Sequence, residues 1–290
     1  MLSSMKVDHP SETPPDRLDA LLRHFRLSAR LFHAGALCGL HDFPGDGASG
    51  QLHLVRAGAV QVRHAGQPPL TVDQPSLLFY PRPCAHRFET DPERGADMAC
   101  ADIAFGDGPD NLLARALPPF VVMPLAELPA AGTLLDTLFE EAFAARCGRA
   151  LVVDRLFEVV VVMLLRRLLD AGVIGQGAFA GLAHPGLARA LVALHAAPQR
   201  DWDLPALASA AGMSRSRFAE LFARIVGQTP AAYLAAYRIE LACAALQRGR
   251  PLALVADEVG YGSAAALSRA FTAKMGASPR AWLRQAQAQR

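Results

Sequence analysis

The C-terminal third of the chain repeats itself. Leu207-Ala208-Ser209-Ala210-Ala211-Gly212-Met213, followed by Phe218, Leu221, Phe222, Gly227, Pro230 and Tyr233, recurs as Val255-Ala256-Asp257-Glu258-Val259-Gly260-Tyr261, followed by Leu267, Ala270, Phe271, Gly276, Pro279 and Trp282. The offset is 48 residues up to the turn glycine and 49 beyond it, so the second copy carries one extra residue at the turn. A repeat of this length is one supersecondary unit used twice. Each copy has the spacing of helix, tight turn and helix, which presents a second helix to the major groove of duplex DNA.

A chain of 290 residues with 52% apolar content is long enough for two domains with separate cores. Its formal charge of +2 hides an asymmetry: residues 184–290 carry 13 Lys+Arg against 6 Asp+Glu, net +7, which leaves 16 against 21, net −5, for residues 1–183. A polyanion is therefore expected to meet the C-terminal part. Nearly all the basic charge is arginine, but a GC-rich genome gives the same bias, so that composition carries no weight. Cys38, Cys84, Cys100, Cys147 and Cys243 are odd in number and show no CxxC spacing, which argues against a disulfide framework or a zinc ribbon and fits a reducing cytoplasm. Met1 to Asp16 is polar and proline-containing, without a signal-peptide pattern. The longest apolar run, Val159 to Leu165, is far short of the roughly 20 residues that span a bilayer. A soluble protein with no membrane partner is expected.

The pattern along the chain gives an α+β architecture. After a disordered lead at residues 1–16, Arg17 to Phe25 has helical spacing. Between Leu27 and Phe105 short apolar runs follow one another between turn residues: Leu52–Val55, Val60–Val62, Leu70–Val72, Leu77–Tyr80 and Ala101–Phe105. Such runs argue for a closed or nearly closed double sheet. Helical periodicity returns at Leu134–Phe143 and again from about Asp154, a candidate N-cap, to Leu169. Val159, Val161 and Val162 make that second helix apolar on nearly all sides, as expected of a helix held between its own domain and a partner subunit. Residues 17–170 are thus read as one domain that includes the dimerisation helix, the glycine-rich stretch 171–186 as a linker, and 187–290 as a helical DNA-binding domain.

In the first repeated unit Asp203 caps a helix opened by Pro205, Gly212 takes the left-handed turn position, and Ser214 or Ser216 caps the next helix. Phe218, Leu221, Phe222 and Ile225 are spaced to point inward. Arg215, Arg217, Ala219, Glu220 and Arg224 are spaced to point outward. The second unit repeats this with Ala256 at the helix crossing, Gly260 at the turn and Ser263 as cap. Leu267, Phe271 and Met275 are expected inward, and Ala264, Ala265, Ser268, Arg269 and Thr272 outward. A single helix from Pro230 to Gln247 fixes the separation of the units, which suits successive major grooves lying roughly 34 Å apart on one face.

Through Gly260-Tyr261-Gly262-Ser263, Ser268-Arg269-Ala270-Phe271 and Gly276-Ala277-Ser278-Pro279, residues 184–284 resemble the AraC/XylS family of bacterial transcription regulators. The resemblance implies a seven-helix domain that inserts two recognition helices into adjacent major grooves of promoter DNA, most often to activate transcription. Carried over by position, it implies base reading by Arg215, Ser216, Ala219 and Glu220 in the first helix, and by Ala264, Ala265, Ser268 and Arg269 in the second. Alanines at 264 and 265 can only meet a thymine methyl or follow groove shape, so the first helix is expected to carry most of the discrimination. Arg224, Arg238, Arg248, Arg250 and Arg280 are each read either as phosphate contacts or as a solvated face. Arg238 has a third reading, as an anchor on Glu240 or Asp257.

Gly50 to Phe88 resembles the cupin-type sensor half found in one branch of that family, through Leu54-Val55-Arg56-Ala57-Gly58 and Leu77-Leu78-Phe79-Tyr80-Pro81 ending in His86. This resemblance implies that residues 17–170 are a sensor. The histidine-rich motif that supplies the other ligands in metal-binding cupins is missing upstream, where only His41 precedes Asp-Phe-Pro-Gly-Asp-Gly. No catalytic metal triad can be assembled, and no cofactor is expected. Cys38, His53, Cys84, His86 and Cys100 fall on neighbouring strands. Two or three of them are read either as a converging zinc, copper or redox site or, in the favoured alternative, Cys38 and Cys100 are read as small buried hydrophobes and His86 as bonded to backbone. An effector pocket lined by apolar barrel side chains is expected. The chain is therefore read as a ligand-responsive regulator, not an enzyme. Its expected partners are double-stranded promoter DNA, a small-molecule effector, a second copy of itself and RNA polymerase. The alternative is a cupin-fold metal-binding protein or enzyme fused to a helical domain.

Overall fold

The computed structural model describes residues 16–106, 111–172 and 176–288. Apart from Asp16, the polar lead lies outside the described residues. The first helix is α1 (Asp19–His24). The strands are β1 (Leu27–Leu37), β2 (Leu40–Phe43), β3 (Gly50–Ala57), β4 (Val60–Arg63), β5 (Leu70–Val72), β6 (Ser76–Tyr80), β7 (His86–Thr90), β8 (Ala96–Phe105) and, after the short helix α2 (Leu112–Arg115), β9 (Val121–Pro124). They form two antiparallel sheets, ordered β1-β8-β3-β6-β9 and β2-β7-β4-β5, the expected double sheet.

The inner strands of the five-stranded sheet, β6 above all, are buried on both faces, which explains why β6 reads as a continuous apolar run. Leu77 and Phe79 point to a helical layer, whereas Leu78 and Tyr80 point into the barrel, where they pack with Val55, Val60, Val62, Phe88 and Met98. That interior is filled by side chains at or near zero exposure, so the apolar effector pocket expected there meets a packed core.

The helical layer is α3 (Gly132–Phe143) and α4 (Arg149–Ala171). Leu135, Leu138, Phe139 and Ala142 of α3 are buried, as their spacing requires. Helix α4 begins at Arg149 rather than near Asp154, so Asp154 is no cap. Its carboxylate instead accepts the Leu31 backbone N–H at 2.7 Å, beside a bulge in β1 between Leu31 and His33. The bulge interrupts the ladder, and Asp154 satisfies an amide there. Of the α4 valines, Val161 is buried, Val162 is half-buried and Val159 is 45% exposed. Leu151 and Val152 are also exposed, and no helix among the described residues is long and apolar enough to cross a membrane.

The glycine-rich stretch holds a helix, α5 (Ala178–Ala183), with Phe179 and Leu182 fully buried. Then come α6 (Pro185–Ala196), α7 (Leu204–Ala211), α8 (Arg215–Val226), α9 (Pro230–Gln247), α10 (Leu252–Glu258), α11 (Ala264–Met275) and α12 (Pro279–Ala288). From α6 onward these are the seven helices that the resemblance implied. One apolar cluster runs from the outer face of the five-stranded sheet through α3, α4 and α5 into the repeated units. The halves also meet through a Phe25–Tyr237 edge contact, centroids 5.9 Å apart.

Candidate nucleic-acid interface

The two units match bond for bond. In the first, Gly212 has φ +68°, the Met213 N–H reaches the Ala208 carbonyl at 2.9 Å and the Gly212 N–H reaches Ser209 at 2.9 Å. In the second, Gly260 has φ +84°, the Tyr261 N–H reaches Ala256 at 2.7 Å and the Gly260 N–H reaches Asp257 at 3.1 Å. Ser214 and Ser263 cap α8 and α11 by accepting the Arg217 and Ala266 N–H groups. Gly227 and Gly276 close them in the left-handed conformation. Behind the helices, Phe222 meets Tyr233 edge-on at 5.7 Å and 72°, and Phe271 meets Trp282 at 5.6 Å and 73°. The repeat is therefore geometric as well as textual.

Asp203 caps α7 by accepting the Ala206 N–H at 2.7 Å. Ser214 is the α8 cap, while the Ser216 hydroxyl lies 3.5 Å from that of Ser214. Phe218, Leu221 and Phe222 are buried and Ile225 is half-buried. On the other face Arg215, Ser216, Arg217, Glu220 and Arg224 are exposed, with Ala219 half-buried between them. In α11, Leu267 and Phe271 are fully buried, Ala265, Arg269 and Thr272 are exposed, and Ala264 and Ser268 are half-buried. Met275 is 38% exposed and does not point inward: the last turn of α11 runs beyond the packing under it. The Thr272 hydroxyl donates to the Ser268 carbonyl at 2.8 Å, so its proton is engaged within the helix. Among the described residues, no ion pair involves Arg215, Arg217, Glu220, Arg224 or Arg269. Helix α9, with 18 residues, separates the units by a rod about 27 Å long at 1.5 Å per residue.

Arg238 is an anchor, though on neither Glu240 nor Asp257. It donates from Nε to the Pro198 carbonyl and from Nη2 to the Arg200 carbonyl, both at 2.8 Å, and lies 5.9 Å from the centre of the Tyr261 ring. Burial pushes its guanidinium below the usual range, against the opposing pull of Tyr261 and Asp201. Arg250 pairs with Glu258. Arg248 and Arg280 remain exposed.

Four contacts carry no sequence signal because their partners are distant in the chain. Gln176 Nε2 donates to the Arg224 carbonyl at 3.2 Å and the Gly177 N–H to Ile225 at 3.0 Å. The stretch expected as a free linker thus satisfies the last carbonyls of the first reading helix. Arg189 donates to the Ala211 carbonyl at 3.2 Å, beside the first turn. Glu240 accepts the Leu112 backbone N–H at 2.7 Å.

In the barrel His53 and His86 do converge, Nε2 to Nε2 at 3.2 Å. The His86 Nδ1 faces the Cys84 carbonyl at 2.8 Å, the backbone bond expected for it. Since a carbonyl only accepts, Nδ1 carries the proton of neutral His86, and the His53 Nε2–H donates to its lone pair. His53 Nδ1 has no partner among the described residues. The His86 ring is stacked between Tyr80 and Phe43, 4.0 and 4.6 Å from their centres. Burial holds His86 down at about 4, opposed by the Cys84 carbonyl and aided by His64. Burial, then the neighbouring His86 and His33, hold His53 well below its usual range. Cys100 is buried, but Cys38 is exposed rather than packed as a small hydrophobe, and Cys84 is half-buried. No set of three or more metal-ligating side chains converges among the described residues, so the cluster does not fit a cupin metal centre.

A family model described as cupin matches residues 16–170, and one described as a helix-turn-helix domain matches residues 207–285. A protein of Streptomyces lividans designated an AraC-like transcription regulator is 33% identical over 293 residues, covering 91% of this chain and 95% of its own. A protein of the same designation from Streptomyces antibioticus is 40% identical over 181 residues, 61% of this chain and 59% of its own. The HTH-type transcriptional regulator AlkR of Acinetobacter baylyi is 35% identical over 139 residues, 48% of this chain and 45% of its own.

Proposed function

The chain belongs to the AraC-like family of transcription regulators, and from that premise we propose how it works. It is a DNA-binding regulator whose outward faces of α8 and α11 read adjacent major grooves of a promoter. Arg215 is read as a fork on guanine and Glu220 as an acceptor from cytosine, each worth roughly 1–3 kcal/mol of discrimination. Ser216, Ala219, Ala264, Ala265, Ser268 and Arg269 complete the two reading surfaces, with Arg217, Arg224 and Thr272 toward the backbone. The observation that carries the reading is the matched pair of turns and caps, with uncommitted charged side chains on the exposed face of each second helix.

Residues 17–170 form the sensor and 187–290 the reader. The sensor responds to a small molecule and pairs with a second copy through the exposed apolar residues of α4, Leu151, Val152 and Val159; pairing gains affinity by raising effective concentration at a second site. The output is activation through RNA polymerase in the cytoplasm, without catalysis. Duplex binding by the full chain at increasing salt tests this reading. Affinity falling steeply, as released counterions require, supports it, and affinity indifferent to salt overturns it.

A further inference from the structure

Because the two units match bond for bond, each residue of α8 has a counterpart in α11, 49 residues further on. Cap stands for cap, Ser214 for Ser263, and closing glycine for closing glycine, Gly227 for Gly276. Half-buried Ala219 answers to half-buried Ser268, and buried Phe222 to buried Phe271. Between these landmarks Glu220 holds in α8 the place that Arg269 holds in α11. Both side chains are exposed, and among the described residues no hydrogen bond or ion pair engages either of them. The repeat thus keeps its frame and reverses the charge at this position.

We propose that Glu220 and Arg269 are paired specificity determinants that make the two halves of the operator unlike at equivalent positions, cytosine facing Glu220 and guanine facing Arg269. A carboxylate only accepts hydrogen bonds and a guanidinium only donates them. In the major groove cytosine presents its N4 amine as a donor, whereas guanine presents O6 and N7 as acceptors. Units that dock alike therefore cannot have like bases beneath these two side chains. The neighbouring positions add to the difference. In α8 the first turn offers Arg215 for a second guanine, while in α11 Ala264 and Ala265 offer only methyl groups, which suit thymine. The reversal also fixes register. A chain displaced by one helical turn sets the Glu220 carboxylate against guanine O6 and N7, acceptor against acceptor, so the wrong placement is penalised as well as the right one favoured. The proposal rests on the reading of α8 and α11 as base-contacting helices, and its test keeps the two apart.

The test is selection from a random-sequence duplex library by the full chain at moderate ionic strength. It is repeated with Glu220→Gln, with Arg269→Gln, and with the exchange of Glu220→Arg and Arg269→Glu together. The unsubstituted chain should enrich two half-sites about 10–10.5 base pairs apart. Cytosine should be favoured at least fivefold at one position of the first, and guanine at least fivefold at the equivalent position of the second. Since glutamine pairs bidentately with adenine, Glu220→Gln should change the first preference alone to adenine, and Arg269→Gln the second alone. The exchange should swap cytosine and guanine. Half-sites that carry the same base there, or preferences that none of the substitutions moves, overturn the pairing and leave the regulatory reading standing. If the unsubstituted chain enriches no sequence, the regulatory reading falls and the pairing falls with it.

Discussion

The Glu240 carboxylate, on the rod between the two reading units, accepts the backbone N–H of Leu112, the first residue of a short sensor helix, at 2.7 Å. Burial raises its carboxyl to about 7 from an ordinary 4.5, against the opposing effects of the Leu112 N–H, Arg115 and Lys274. Folded Glu240 therefore holds its proton where the unfolded chain has lost it. Its contribution to stability is fully present below pH 4.5 and is lost as pH rises through 7. Glu240→Gln keeps the acceptor and removes the charge. Thermal melting should place this variant above the unsubstituted chain at pH 8, with the gap closing toward pH 5. The unsubstituted chain melting higher at pH 8 would contradict this account of the interdomain contact.

The barrel histidines work in the opposite direction. His53 and His86 are held below 6.5, so the stability they contribute is present above that pH and is lost as pH falls toward about 4. Combining His53→Leu with His86→Phe should flatten the acid limb of the melting curve. An acid limb as steep as before would mean that other groups control it.

Gly260→Val should abolish the second unit. A β-branched residue is strained at φ +84°, and a Cβ there would meet the Gln199 Cα and carbonyl oxygen, each at 2.7 Å. Backbone strain alone costs roughly 1–3 kcal/mol, and the clash adds to it. Circular dichroism should show a lowered melting temperature, and gel shift a loss of duplex affinity; both unchanged would mean that the turn is misplaced.

Arg238→Met should weaken the fold rather than the grip on phosphate. Each hydrogen bond from a charged group is worth about 1.5–3 kcal/mol, and this side chain donates two to backbone carbonyls. The melting temperature should fall while the slope of duplex affinity against salt stays the same. A shallower slope at unchanged melting would identify Arg238 as a phosphate contact.

For Arg215→Ala, at the exposed start of α8, the expectation is a roughly 10- to 100-fold loss on a preferred site and a much smaller loss on random duplex. Equal losses on both would reduce Arg215 to a backbone contact.

The repeated units were legible because their instructions are local. Glycines at left-handed positions, serines at caps and apolar residues at i, i+3, i+4 and i+7 each act within one turn or one helix. The double sheet was legible as a class, but β1, β2, β7 and β9 were not read as strands. In β1 the bulge at Leu31 breaks the alternation, and its burial follows no clean period. Helix α5 was hidden by its glycines, although Phe179 and Leu182 stand at helical spacing. The targets of Arg189, Arg238 and Glu240 were illegible because each lies on a different element, and nothing in local spacing records such a meeting.

The most direct measurement is a footprint of the full chain on a genomic fragment that it selects, with random duplex as competitor at moderate ionic strength. The account predicts a strong preference for the selected fragment and two protected major-groove patches on one face, about 10–10.5 base pairs apart. No preference over random duplex, or protection confined to a single patch, would contradict it.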